Sequence, residues 1–329
     1  MKQKQVIITG ANSGIGKAAA QIFAYAGYTV IMACRNLEKG KAAQKEIISK
    51  SKNEAVHLMK LDTSSLASIK AFSEDYKNRF DKLDILINNA AYFNHGAGHR
   101  LSPDNIELTF ATNVVGPFLL TELLLDQLKK SDDPRVLNAS SNIIKHFFSP
   151  NKTIDLDHIT TALPAGYKHS VYVNYRNSKM ALLMLTFKMA QHYRDLGISV
   201  NSLQINGARM SKDTLRKFTP RWRFIAHIQN LFFKPTSFMA NNYFELCTSE
   251  DFALVTGKLF NHRLKAMKKG PVKPKLSHIL GSNVYPLFAA NETVQERVWN
   301  SCENLTRDYL VRGQPTGRTS EAKIMSYAS

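Results

Sequence analysis

A β-branched run, Val6-Ile-Ile-Thr9, leads directly into Thr9-Gly10-Ala11-Asn12-Ser13-Gly14-Ile15-Gly16, and a helical stretch opens at Lys17. Glycines at this GxxxGxG spacing allow a buried strand to reverse sharply into a helix and leave room for another molecule against the backbone. The helix start adds free N–H groups and the positive end of the dipole, which together favour a phosphate. Glycine also collects in ordinary βα turns, and the spacing differs from GxGxxG, so the flanking strand and helix are what make this a candidate dinucleotide site. Thr9, Gly10, Asn12, Ser13, Gly14, Ile15 and Gly16 are its predicted cofactor contacts.

The same alternation continues along the chain. Thr29-Val-Ile-Met-Ala33, Ala55 to Met59, Leu83 to Ile87, Arg135 to Asn138 and Ile198 to Leu203 read as further strands, separated by helices over Leu37–Lys50, Ser64–Arg79, Asn105–Lys130 and Tyr175–Leu196. A seventh short strand fits near Val255 to Phe260. Strands alternating with helices imply right-handed βαβ units. The fold class is therefore α/β: a single-domain Rossmann fold, a doubly wound parallel sheet of about seven strands with helices on both faces. No repeat or linker divides residues 1–312, and the polar, aperiodic stretch 313–329 is expected to be a disordered tail.

With 329 residues, 44% of them hydrophobic and 21% charged, the chain can bury a full core without disulfides or a structural metal. Cys34, Cys247 and Cys302 are odd in number and form no CxxC pair, which favours a reducing compartment and a cytoplasmic location. No apolar run reaches 18 residues, and the polar lead Met1 to Gln5 has no signal-like region behind it. His95 and His99 have i, i+4 spacing but lie in a Gly-containing loop without HExxH context, so no metal is expected.

The second strand ends in Ala33-Cys34-Arg35-Asn36, where a dinucleotide fold reads the adenosine ribose. An acidic residue there would bind the 2′-hydroxyl of NAD; Arg35 suits a 2′-phosphate, and Lys17 is expected to add positive charge. The reading is NADP(H) preferred over NAD(H). Asp62, after the third strand, would fall near the adenine.

Four more signatures follow: Asn88-Asn89-Ala90-Ala91, Asn113, Ser140-Ser141 and Tyr175-Arg-Asn-Ser-Lys179. The carboxyl ends of parallel strands line one crevice, so these groups converge on the cofactor. Tyr175 and Lys179 share one helix face, and an ammonium beside the phenol would lower its pKa and suit it for proton exchange. Each piece alone is common. Together they resemble the short-chain dehydrogenase/reductase family over nearly the whole chain. The likeness is greatest to the retinol dehydrogenase type, through Ala33-Cys-Arg-Asn-x-Glu-Lys-Gly40, Leu61-Asp-x-Ser-Ser65, Arg135-Val-Leu-Asn-x-Ser-Ser141 and Asn291-Glu-Thr-Val-x-x-x-Val-Trp299.

The resemblance implies Tyr175 as general acid/base, Lys179 tuning it and binding the nicotinamide ribose, Ser141 holding the substrate oxygen, and Asn113 holding a water. Asn89, Ala90, Asn206, Gly207 and Ser211 would contact cofactor. Two departures stand out. The usual NNAG reads Asn88-Asn89-Ala90-Ala91, one methyl larger, and the usual Pro-Gly after the sixth strand reads Asn206-Gly207, which removes a fixed φ near the nicotinamide.

The insert from Asn142 to Asn174 carries Ile143, Ile144, Phe147, Phe148, Ile154, Leu156 and Leu163, which suggests an apolar pocket wall or a loop with its own small core. From Asn206 to Leu280 there are 14 Lys and Arg against 4 Asp and Glu, the larger part of the net charge of +18. Its centre, Phe218 to Lys234, mixes bulky apolar with basic residues. The resemblance makes about 207–280 a C-terminal substrate lid, with peripheral contact to anionic membrane as a second reading. No nucleic-acid module is visible. The expected partner is a hydrophobic small-molecule carbonyl or alcohol, and the resemblance implies a homodimer or homotetramer. Three rivals are reduction of a C=C bond, as in the related protochlorophyllide reductases, a non-catalytic NADP-sensing or interaction protein, and a membrane-surface protein whose main property is salt-sensitive lipid binding.

Overall fold

The computed structural model describes residues 3–93, 98–157, 159, 169–207, 215, 223–224, 230 and 233–310. Seven strands form one parallel sheet: β1 (Gln5–Thr9), β2 (Thr29–Cys34), β3 (Val56–Lys60), β4 (Ile85–Asn88), β5 (Arg135–Ser141), β6 (Ser199–Ile205) and β7 (Leu259–Phe260), in the order β3-β2-β1-β4-β5-β6-β7. Strands in such a sheet are covered on both faces, which is why β2 and β5 are buried at every position and why β2 reads as a continuous rather than an alternating apolar run. The seventh strand falls inside the predicted range.

One face of the sheet is covered by α1 (Gly14–Tyr25) and α2 (Leu37–Ser51). Phe23, Ala43 and Ile47 there share a core with Met239, Tyr243 and Cys247 of the helix Thr236–Thr248. The other face carries α3 (Leu66–Arg79), the long helix Val171–His192 and the C-terminal helix Glu292–Leu310. Trp299 packs within its own chain, edge-on to Phe118 at 5.1 Å and stacked on His192 at 4.1 Å. All three cysteines are buried and free.

The helix predicted over Asn105–Lys130 is interrupted. It begins at Leu108–Phe110, widens into a π-helical turn over Ala111–Val115, continues as Gly116–Leu123 and restarts at Leu125–Leu128. Such one-turn bulges re-aim a side chain, and this one contains Asn113. The helix predicted from Tyr175 starts earlier, at Val171, because Ser170 caps it by accepting from Val173 N–H at 3.4 Å. The 313–329 segment, His95, Ser211 and most of Phe218–Lys234 lie outside the described residues.

Candidate active site

Strand order reverses between β1 and β4, so the loops after these strands part and leave a crevice at their carboxyl ends. The glycine turn occupies it. Gly10 and Gly14 adopt positive φ, 68° and 58°, and Gly10 N–H donates to the Ala33 carbonyl at 2.9 Å. A Cβ on Gly16 would stand 2.6 Å from both Asn89 Nδ2 and the Gly10 carbonyl oxygen, so no side chain fits. Ser13 occupies the N-cap of α1 without a side-chain cap, and the first turn holds no acidic residue. Those unclaimed N–H groups and the dipole end fit a pyrophosphate.

The floor of this cradle comes from the loop after β4. Thr9 Oγ1 accepts from the N–H groups of Asn89 and Ala90, both at 2.9 Å, while Asn89 Nδ2 donates to the Thr9 carbonyl at 2.8 Å. Tyr243 completes it by donating its hydroxyl to Asn89 Oδ1 at 3.1 Å. No sequence pattern pointed to Tyr243, which stands 154 residues from Asn89. Ala91 is exposed, so the extra methyl relative to NNAG meets solvent. Beneath the floor, Asn88 Nδ2 donates to Asn138 Oδ1 at 2.9 Å, and Asn138 Nδ2 to Thr186 Oγ1 at 3.0 Å, pinning β4, β5 and the long helix together.

Arg35 is exposed at the end of β2. Lys60, beside it at the end of β3, donates its Nζ to the Arg35 carbonyl. Lys60 escaped the sequence reading because only strand pairing brings it there. The expected role of Lys17 is corrected: its ammonium pairs with Glu46 of α2. Glu46, which also takes Lys50 at 2.8 Å, is held down at about 2 by hydrogen bonds from both lysines. Asn36 is occupied as the N-cap of α2, accepting from Lys39 N–H at 2.8 Å. Asp62 Oδ1 accepts from the N–H and hydroxyl of Ser64, at 3.0 and 2.7 Å, shaping the turn into α3.

Asn113, Ser141, Tyr175 and Lys179 come together at the next strand ends. Asn113 is fully buried; its Oδ1 accepts from Tyr92 N–H at 2.7 Å and its Nδ2 donates to Ser178 Oγ at 3.0 Å. Ser178 in turn donates to the Tyr175 carbonyl at 2.9 Å. Lys179, 3% exposed, donates Nζ to the Ala139 carbonyl at 2.7 Å and lies 5.8 Å from the Tyr175 ring centre. Burial lowers its pKa to about 8. Burial raises the Tyr175 phenol, and a hydrogen bond with Ser141 opposes that rise. The expected lowering of Tyr175 by Lys179 is thereby corrected: desolvation is the larger effect, and the lysine is directed at a carbonyl. Phe93 packs on Tyr175 at 4.3 Å between ring centres.

Of the two serines, Ser141 touches Tyr175, whereas Ser140 is buried and its Oγ finds no partner. The short helical turn Asn142–Phe148 follows directly. Its Ile144 and Phe147, with Ile154, enter the main core, so the described first part of the insert packs on the domain itself. Phe147 and Phe148 also line a cleft of about 380 Å³ together with Pro271, Val272 and Phe288. Among the described residues no His, Cys, Asp or Glu cluster could hold a metal.

The sheet order, the glycine cradle and the Ser, Tyr and Lys at the neighbouring strand ends define a short-chain dehydrogenase/reductase, and the chain belongs to that family. Residues 4–149 match its short chain dehydrogenase profile. The chain is 33% identical to retinol dehydrogenase 13 of Homo sapiens, over 96% of this chain and 88% of the relative. It is 34% identical to retinol dehydrogenase 12 of Mus musculus, over 92% and 86%. Within the family it is thus of the retinol dehydrogenase type, an oxidoreductase. Solved structures agree on the fold. An uncharacterized protein from Mycobacterium Paratuberculosis superposes with a TM-score of 0.65 at 24% identity, covering 93% of this chain and 94% of that one. A short chain dehydrogenase from Shigella flexneri in complex with NADP gives 0.61 at 22% identity, covering 79% and 97%. Among the described residues no helix is long and apolar enough to cross a membrane.

Proposed function

We propose that the protein interconverts a carbonyl and an alcohol on a hydrophobic substrate, with NADP(H) preferred over NAD(H) and Tyr175 as the proton-exchanging group. The observation that carries this reading is the contact of Ser141 with Tyr175 beside buried Lys179, next to a helix start with no cap of its own. The cofactor supplies or accepts the hydride. Thr9, Gly10, Asn12, Ser13, Gly14, Ile15 and Gly16 would hold its phosphates, and Arg35, assisted by Lys60, the 2′-phosphate. Asn36 and Asp62 shape the adenosine side, while Asn89 and Ala90 form the floor.

In the reducing direction Ser141 and Tyr175 donate hydrogen bonds to the carbonyl oxygen, and the phenol passes its proton to the oxygen as negative charge develops there. Lys179, still mostly protonated at neutral pH and held by the Ala139 carbonyl, would bind a hydroxyl of the nicotinamide ribose. Asn113, fixed by Tyr92 and Ser178, positions the helix turn that carries Tyr175. A raised phenol keeps the proton in place until the substrate oxygen needs it.

The test is NADPH and NADH oxidation by the purified protein against aldehydes and ketones from short to retinal-sized, with Tyr175→Phe alongside. Turnover with NADPH that rises with substrate hydrophobicity and vanishes in the variant supports the reading. Turnover unchanged in Tyr175→Phe, or reduction of a C=C bond instead, refutes it. Contact with anionic membrane is a second proposed property. From Phe252 to Asn291 there are seven Lys and Arg and no acidic residue. Val272, Leu276 and Leu280 of that stretch are exposed, as are Lys268, Lys269, Lys273 and Lys275.

A further inference from the structure

β6 runs alongside β5 with Ile205 opposite Ser141, so Asn206 stands one residue beyond the strand neighbour of the serine that touches Tyr175. Its amide is gripped on one side only. Nδ2 lies 2.7 Å from His262 Nδ1 and 3.5 Å from Ser282 Oγ, whereas Oδ1 is buried with no partner. The grip is itself anchored: the His262 carbonyl accepts from Asn242 Nδ2 at 2.9 Å, and the Ser282 carbonyl from Asn261 Nδ2 at 2.8 Å. A buried acceptor left empty is unfavourable, and a ligand donor would satisfy it. Gly207 follows at φ 101°, with the Phe233 ring so close that a Cβ would sit 2.6 Å from it. The backbone after β6 is thus held by neighbours from distant parts of the chain, in place of the ring of a proline.

We propose that Asn206 binds the carboxamide of the nicotinamide through its free Oδ1, and that His262 is the positioning residue that sets the orientation of that amide. The inference rests on the cofactor reading above. For Nδ1 to accept from the Asn206 amide, the imidazole must be neutral with its proton on Nε2. Its surroundings favour that form. Burial disfavours a second proton, as do Arg263 next in the chain, Lys145 from the turn after β5, and Lys234 ahead of the helix Thr236–Thr248. If His262 becomes protonated, two N–H donors face each other and the amide must turn over, exchanging its acceptor for a donor at the cofactor side.

The experiment is a fluorescence titration of NADPH with the wild-type protein, His262→Phe, Asn206→Pro and the double variant, repeated from pH 5 to 8. A second probe, 2′-phospho-ADP-ribose, lacks the nicotinamide. His262→Phe is expected to weaken NADPH about 3- to 10-fold, the effect of losing one hydrogen bond, without changing the nicotinamide-free probe. In the Asn206→Pro background the same substitution should change nothing, because the amide it serves is gone. Relative to the nicotinamide-free probe, whose 2′-phosphate takes up a proton in the same range, wild-type affinity for NADPH should fall further as His262 protonates, and that extra fall should be absent from the Asn206→Pro variant. His262→Gln, whose amide oxygen can accept from Asn206, should retain neutral-pH affinity and lose the pH dependence, and it serves if the phenylalanine variant does not fold. Equal losses in both backgrounds, an equal loss for the nicotinamide-free probe, or a wild-type pH profile no steeper than that of the nicotinamide-free probe would overturn the proposal while leaving the cofactor reading intact. Failure of the wild-type protein to bind either NADPH or NADH would overturn both.

Discussion

Lys179→Met should stabilise the protein while abolishing its activity. The lysine is 3% exposed, and burial lowers its pKa from 10.5 to about 8. A drop of about 2.5 units corresponds to roughly 3 kcal/mol against the charged form. The sign follows from linkage. Between about pH 8 and 10.5 the unfolded chain holds a proton on this lysine that the folded one has released, so its contribution to stability grows as pH rises and the full penalty is present below about 8. Methionine keeps most of the volume and carries no charge. It forfeits the 2.7 Å hydrogen bond to the Ala139 carbonyl, worth about 1 kcal/mol. The net expectation near pH 7 is a gain of about 1–3 kcal/mol, or roughly 2–5 °C in Tm for a chain of this length. Calorimetry on both proteins from pH 7 to 10 reads the effect, and the advantage of the variant should shrink as pH rises. A lower Tm for Lys179→Met, or a difference that does not change with pH, would show that the ammonium is better solvated than its burial implies.

Three other variants probe the remaining parts. Gly16→Val should abolish cofactor binding, since even its Cβ would stand 2.6 Å from backbone and from Asn89; equilibrium dialysis with NADPH checks this, and binding within a few-fold of wild type would refute it. Arg35→Asp should shift the NADPH to NADH ratio of kcat/KM by about 10- to 100-fold, the worth of a charge-assisted hydrogen bond to the 2′-phosphate; an unchanged ratio would transfer the role to Lys60 or disprove the preference. Replacing Val272, Leu276 and Leu280 by Ser should reduce sedimentation with vesicles of phosphatidylserine and phosphatidylcholine, and salt should reduce it in the wild type. Binding to neutral vesicles of equal strength would refute an electrostatic surface.

Much of the site lies in local patterns. The glycine turn needs only a few consecutive residues, and Tyr175 and Lys179 need only the pitch of one helix. The continuous apolar runs of β1, β2 and β4 announce a parallel sheet because both of its faces are covered. Patterns of this kind survive because each is a property of a short segment, set by backbone sterics and the alternation of apolar residues.

What escaped the reading depends on segments far apart in the chain. Lys17 has a glycine turn for a neighbour in sequence and Glu46 for a partner in space. The direction of the Tyr175 shift came from burial, which no spacing encodes. Tyr243 under Asn89, Lys60 beside Arg35, and His262 against Asn206 all arise where strand order or helix packing closes a separation of 25 to 154 residues.

The sequence by itself therefore determined the kind of sheet, the turn that can receive a phosphate, and the helix face that pairs a phenol with an ammonium. Tertiary structure alone decided which charges are already spent on one another, which groups are stripped of water, and what holds the backbone after β6. The reason is physical: dihedral preference and hydrophobic period act over a few residues, whereas desolvation and hydrogen-bond partnership exist only once the layers have packed.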